Sequence, residues 1–185
     1  MLYVVLSASV SENIGRLTVK DLDSDPADYA FELVCTSCRE KHDSKVTINR
    51  LEKHEMNGSR GEASFVMKCK FCGKDCSINL ERTQEELYNL QEESNRELVE
   101  KTRVHRKKIG IKNVDASKAV LLALDCRGCE VLNLDYSNLI FDARLASGKV
   151  MEATFDEENE WYDYDDDAGE EVSVTDLKFD IVKAK

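Results

Sequence analysis

The chain has 185 residues, enough to bury a full core, and carries a formal net charge of −11 from 37 acidic and 26 basic side chains. That balance disfavours non-specific binding to phosphate backbones or anionic membranes, because long-range repulsion lowers encounter rates, and it leaves selective partners as the expectation. Seven cysteines is an odd count, and a chain of this length does not need a disulfide scaffold, so the sequence reads as a protein of a reducing, intracellular compartment.

Met1 to Val10 is apolar but lacks a basic leader and is far too short to span a bilayer. Val4, Leu6, Ala8 and Val10 alternate with Ser7 and Ser9, which predicts a first strand. Ile14 to Val19 alternates as well, after a turn at Ser11-Glu12-Asn13, and is expected to be its hairpin partner. Asp21 to Asp28 holds the only proline, Pro26, and reads as a loop. Tyr29 to Val34 then leads as a strand into Cys35-Thr36-Ser37-Cys38. Lys45 to Asn49 and Ala63 to Lys68 are further strands, divided by the turn Asn57-Gly58-Ser59-Arg60-Gly61, and the second delivers Cys69-Lys70-Phe71-Cys72-Gly73.

The two CxxC pairs, separated by the 30 residues from Arg39 to Lys68, carry the strongest chemical signal. Two residues between cysteines let a tight turn aim both sulfurs at one point, and two such knuckles complete a tetrahedron of thiolates, the preferred closed site of structural zinc. Cys35, Cys38, Cys69 and Cys72 are therefore the expected ligands of one Zn²⁺, on two hairpins joined by an excursion longer than that of a compact zinc ribbon. Four protein ligands leave no position for water or substrate, which points to a structural rather than a catalytic metal. Gly73 suits a positive φ after the second knuckle. Arg39 stands at the equivalent place in the first, a less favourable residue there. Arg39, Lys41, Lys68, Lys70 and Lys74 lie close enough in sequence to offset the −2 charge of a zinc tetrathiolate. His42 is read as a surface or supporting residue rather than a ligand.

Glu81 to Lys108 lacks glycine and proline and spaces Leu87, Leu90, Leu98 and Val99 nearer a helical period, predicting an interrupted helix that projects from the body or lies loosely against it. Its basic end, Lys101 to Lys108, contains no aromatic residue and reads as a solvated helix terminus rather than a nucleic-acid footprint. Beyond it come short strands at Ala119 to Leu124, Val131 to Leu134, Leu139 to Phe141, Val150 to Phe155, Glu171 to Val174 and Leu177 to Val182. The expected fold is mainly β: an antiparallel sandwich or partly open barrel, with a zinc-knuckle lobe at 29–80 and one inserted helix at 84–112, all within a single domain spanning 1–185.

Other signals are weaker. Cys126 and Cys129, with Cys76 as a third thiol, could form a redox dithiol or a soft-metal site, although plain structural thiols are the simpler reading. His54 and His105 have no recognisable partners. Gly58-Ser59-Arg60-Gly61 lacks the spacing of a nucleophile elbow and the lysine of a phosphate loop. Asp156 to Glu171 carries ten carboxylates. Asp163, Asp165 and Asp167 imitate the start of a calcium loop, but Ala168 and Val174 stand where its glycine and glutamate belong. Trp161, Tyr162 and Tyr164 can anchor this segment while its carboxylates face solvent or a basic partner.

The ordered set of Cys35-x-x-Cys38, Gly58-Ser59-Arg60-Gly61-Glu62-Ala63-Ser64, Lys68-Cys69-Lys70-Phe71-Cys72, Cys126-Arg127-Gly128 and Trp161-Tyr162-Asp163-Tyr164-Asp165 resembles the family of CXXC motif-containing zinc-binding proteins, small intracellular eukaryotic proteins of largely uncharacterised function. The resemblance covers nearly the whole chain. It implies packed antiparallel sheets, one zinc on Cys35, Cys38, Cys69 and Cys72, and no established catalytic activity. Most of Gln84 to Lys112 departs from the family pattern as an insertion, and Cys129 stands where that pattern requires no cysteine. The functional expectation is a non-enzymatic, monomeric zinc protein of the cytoplasm, with the nucleus as a second compartment, that engages another protein through its acidic surface or zinc lobe. The alternatives are a metal-handling protein exchanging zinc or copper and, less favoured, a thiol oxidoreductase.

Overall fold

The computed structural model describes residues 1–112 and 114–184. Strand β1 (Leu2–Val10) runs through the middle of the largest sheet because both its faces are apolar: Val4 and Leu6 enter the main core, while Tyr3 and Val5 are buried on the opposite side. A strand of this kind needs partners on both edges and cover on both faces. Its partners are β10 (Ala119–Arg127) and β15 (Glu170–Lys183), both antiparallel, with Leu2 opposite Leu124 and Lys183. Beyond β10 lie β8 (Asp75–Arg82) and β7 (Phe65–Lys68), and beyond β15 lies β14 (Trp161–Asp165).

Three smaller sheets complete the body. One orders β13 (Val150–Ala153), β12 (Phe141–Leu145), β2 (Ile14–Val19) and β9 (Leu87–Tyr88); another orders β11 (Cys129–Asp135), β3 (Tyr29–Cys35) and β4 (Val46–Ile48). A short hairpin of β5 (His54–Glu55) and β6 (Glu62–Ala63) carries the expected Gly58 turn. All these pairings are antiparallel, and the inward faces share one core that includes Leu6, Leu17, Phe31, Ile78, Leu122 and Phe141. Each such side chain contributes about 1.5–3 kcal/mol of burial. Strict alternation in β3 sends Tyr29, Phe31, Leu33 and Cys35 to that core. The first cysteine of the first knuckle is thus anchored in the body of the protein.

Three expectations change. First, β2 is not the hairpin partner of β1; it pairs with β12 and β9, and the Ser11–Asn13 turn carries the chain from one sheet to another. Second, Glu171 to Val174 and Leu177 to Val182 belong to one strand, broken in register by a bulge against Ser7 and Ser9, where Asp176 adopts φ 54°. The acidic segment before it is hairpinned through β14, with Asp165 buried against Lys149 at 3.0 Å.

Third, the helix is shorter and more tightly held than its composition suggests. Glu81 and Arg82 end β8, and Leu87 and Tyr88 pair with Leu17 and Arg16, so apolar spacing that looks helical is satisfied by a strand. Only Arg96–Lys108 forms α1, after a 3₁₀ turn at Glu93–Asn95. Asn95 pins its start, donating to the Gly15 and Asn89 carbonyls at 2.9 and 3.1 Å. Its end closes on Gly110 at φ 79°, where the Ile111 N–H reaches the Arg106 carbonyl at 3.0 Å in a Schellman turn. Arg106, buried on the inner face, then holds the helix down: it binds Glu85 with both nitrogens of its fork and donates to the carbonyls of Val114, Asp115 and Lys118. The following segment buries Ile111 against Tyr3, Val5 and Val120, which covers the outer face of the central sheet.

Candidate metal centre

The two knuckles are built alike. Cys35 ends β3 and Cys69 follows β7, and each opens a tight turn that reverses the chain. In the first, the Arg39 N–H donates to the Cys35 carbonyl at 3.0 Å and the Cys35 N–H to the Glu40 carbonyl at 3.1 Å; in the second, Gly73 and Lys74 repeat both bonds around Cys69, each at 2.8 Å. The residue after each CxxC is left-handed, φ 75° at Gly73 and φ 65° at Arg39. Arg39 therefore accepts a conformation that costs a residue with a β-carbon about 1–2 kcal/mol.

The four sulfurs converge. Cys35 Sγ lies 3.7 Å from Cys72 Sγ and Cys38 Sγ lies 3.7 Å from Cys69 Sγ, and all four fall within 4.8 Å of one another. Zinc–sulfur bonds of about 2.3 Å in a tetrahedron set sulfurs about 3.8 Å apart, so these spacings fit a Zn²⁺ tetrathiolate. All seven cysteines are free of disulfides. Cys35 and Cys69 are buried, Cys38 is half-buried and Cys72 is exposed, which leaves the centre closed toward the core and open on one side.

Backbone dipoles prepare the cluster for a cation. The N–H groups of Cys38 and Ser37 and the neighbouring thiols draw the Cys35 thiol down to about 6, against the opposing effect of burial. The Glu40 N–H also points at the Cys38 sulfur, yet burial and the adjacent thiols outweigh it and hold that thiol up at about 12. Of the nearby cations, Lys41 is paired with Glu32 at 3.2 Å and Lys70 with Asp43, so these two are already committed. Among the described residues Arg39, Lys68 and Lys74 form no ion pair.

The other candidates separate clearly. His42 is not a surface residue: it is buried, with its ring set edge-on to Phe71 of the second knuckle at 6.4 Å, and its Nε2 has no hydrogen-bond partner among the described residues. Cys126 lies on β10 opposite Ile78, and Cys129 lies on β11 opposite Cys35. Burial pushes the Cys126 thiol up to about 11 and raises those of Cys129 and Cys76, which keeps all three protonated and poorly nucleophilic. Asp163, Asp165 and Asp167 do not gather into a cation site; Asp165 and Asp167 both meet the Lys149 ammonium, at 3.0 and 3.1 Å, and among the described residues only the four cysteines form a group of three or more metal-capable side chains.

The residue that sequence spacing misses is Gly128. Its carbonyl accepts the Thr36 N–H of the first knuckle at 3.1 Å and the Cys76 thiol beyond the second at 3.3 Å, so one peptide brackets both. It sits at φ 76°, and a β-carbon there would lie 2.3 Å from the Asp75 carbonyl oxygen. The only sequence signal for it is the Cys126-Arg127-Gly128 motif itself.

Comparison with known proteins converges on one family. Residues 3–182 match the family described as CXXC motif containing zinc binding protein, eukaryotic. The UPF0587 protein YCR090C of Saccharomyces cerevisiae is 44% identical over 184 residues, covering 100% of this chain and 99% of that protein. The CXXC motif containing zinc binding protein of Homo sapiens is 24% identical, covering 84% of this chain and 83% of the relative. Among solved structures, that titled C1orf123 superposes with a TM-score of 0.71 at 22% identity, covering 99% of both chains. A hypothetical protein from Plasmodium falciparum gives 0.70 at 20% identity over 98% of both, so the fold is shared.

Proposed function

The chain belongs to the eukaryotic family of CXXC motif containing zinc binding proteins, and from that membership we propose that it is a non-enzymatic protein in which one Zn²⁺ on Cys35, Cys38, Cys69 and Cys72 ties the two knuckles to the sheets and so maintains a surface for another protein. The single observation that carries this reading is the convergence of four free thiols at tetrathiolate spacing. A site filled by four sulfurs offers no coordination position for substrate, which favours scaffolding over catalysis. No helix among the described residues is long and apolar enough to cross a membrane. The acidic β14 hairpin, with Tyr162 and Tyr164 exposed among carboxylates, is the face best suited to a basic protein partner.

Zinc content per chain and zinc X-ray absorption on protein purified under reducing conditions test the assignment. The expected result is one zinc with four sulfurs at about 2.3 Å, lost in Cys69→Ser. A nitrogen or oxygen in the shell would contradict a closed tetrathiolate. A second reading, exchange of metal with another thiol protein, is favoured by one observation: Cys72 is exposed and Cys38 half-buried, giving an incoming thiolate access from one side.

A further inference from the structure

On a chain of formal charge −11, one cleft has only cations among its charged lining residues. It lies between α1 and the segment that turns back after it, encloses about 420 Å³, and takes Arg103, Arg106, Lys107, Lys112 and Lys118 into its wall with no carboxylate among the lining residues. The cations come from different parts of the chain. The helix supplies three, the returning segment supplies Lys112, and the residue before β10 supplies Lys118. A solvated helix end would carry its charge on one element and leave it spread in water; here the Gly110 turn folds the chain so that separate cations face one space.

Two of the five are already compensated. Arg106 is neutralised by buried Glu85 at 2.9 Å, and Arg103 meets exposed Glu100 at 3.1 Å. Among the described residues Lys107, Lys112 and Lys118 have no ion pair. Tyr88 and Ile111, both largely buried, give the cleft an apolar base. The volume is that of a small-ligand pocket rather than of a groove for an extended chain. Lys107 and Lys112, with Lys118 partly offset by the Asp115 carboxylate, lie over an apolar floor and match a molecule with about two negative charges and a flat, weakly polar body. We infer that this cleft binds a small organic phosphate of nucleotide size, at a site separate from the metal centre.

The test titrates ADP into the full-length, zinc-loaded protein by calorimetry at physiological salt, with inorganic pyrophosphate as competitor and amide chemical shifts to locate the site. Two variants remove the same charge: Lys107→Gln with Lys112→Gln inside the cleft, and Lys101→Gln with Lys108→Gln on the helix face outside it. Thermal unfolding first establishes that both fold. The expected result is one saturable site, shifts confined to α1 and the segment before β10, displacement by pyrophosphate, and affinity reduced about tenfold or more by the cleft pair but less than about twofold by the outer pair. Equal weakening by both pairs would mean diffuse attraction and overturn the proposal. So would the absence of saturation at millimolar ADP, or binding that both variants leave unchanged. Saturation by an acidic tyrosine-containing peptide that ADP does not displace would overturn it in favour of a protein ligand.

Discussion

At the scale of single residues, the four-thiol site rests on three positions that supply no sulfur, Arg39, Gly73 and Gly128. Arg39 and Gly73 occupy the same left-handed turn, but only glycine does so without strain. Arg39→Gly should therefore stabilise the protein by about 0.5–1 kcal/mol, the relief of strain being partly offset by glycine's greater freedom when unfolded, as read from the denaturation midpoint of metal-loaded protein. An unchanged or lowered midpoint would mean that the Arg39 side chain contributes more than its backbone costs. Gly128→Ala removes no ligand, yet its methyl group would collide with the Asp75 carbonyl and displace the bracket across both knuckles. The expected outcome is a loss of about 2 kcal/mol or more in stability together with weaker zinc retention against a chelator. Retention equal to wild type would show that the bracket does not position the thiols. The four-thiol cluster was legible in the sequence because CxxC spacing is local geometry. Gly128 was not, because its partners Thr36 and Cys76 come from distant segments. Likewise, the environment of His42 depends on Phe71, which belongs to the other knuckle.

At the scale of elements, α1 shows how a polar helix can be fixed without a broad apolar face. Its thin apolar stripe suggested loose attachment, whereas a buried ion pair and three backbone carbonyls on Arg106 supply the anchorage. Arg106→Met should cost about 3–5 kcal/mol, since it strands the Glu85 carboxylate in a buried site. Glu85→Gln added to Arg106→Met should restore part of that loss, because the amide keeps an acceptor for the Val120 N–H without a buried charge. If the double variant is no more stable than the single one, the penalty lies in lost packing instead. The helix starts later than the spacing predicts because Leu87 fits both the helical spacing with Leu90 and a pairing with Leu17 of β2, and only the tertiary partner decides. A second link, between the Lys45 side chain before β4 and Asp135 at the end of β11, gives a pH signature. The ammonium at 2.6 Å and the Ser137 N–H hold the Asp135 carboxyl down at about 2. Its folded pKa is below the ordinary value, so its stabilisation is present above about pH 4 and is lost as pH falls toward 2. In urea unfolding across that range, Asp135→Asn should show a shallower loss of stability than wild type; parallel curves would contradict the assignment.

At the scale of the whole molecule, the class of fold followed from short alternating segments and turn residues, and the sheets are antiparallel around a shared core as that pattern implied. Which strand pairs with which did not follow. The apolar residues on both faces of β1 call for two strand neighbours and cover on either side, and these come from β10, β15 and the segment after α1, all far away in sequence. The same long-range architecture brings the knuckles together across 30 intervening residues, so a metal there connects segments that local structure alone does not join. Binding a structural zinc can yield about 10–16 kcal/mol, comparable to the whole stability of a typical domain at about 5–15 kcal/mol. A structural zinc couples the metal to the fold. The direct test is a chelator titration of the zinc-loaded protein under reducing conditions, following released zinc and far-ultraviolet circular dichroism in the same sample. Zinc release and loss of β signal are expected to rise together with one midpoint; zinc leaving at a lower chelator concentration, with the β signal intact, would contradict a structural site and favour exchange through the exposed Cys72 face.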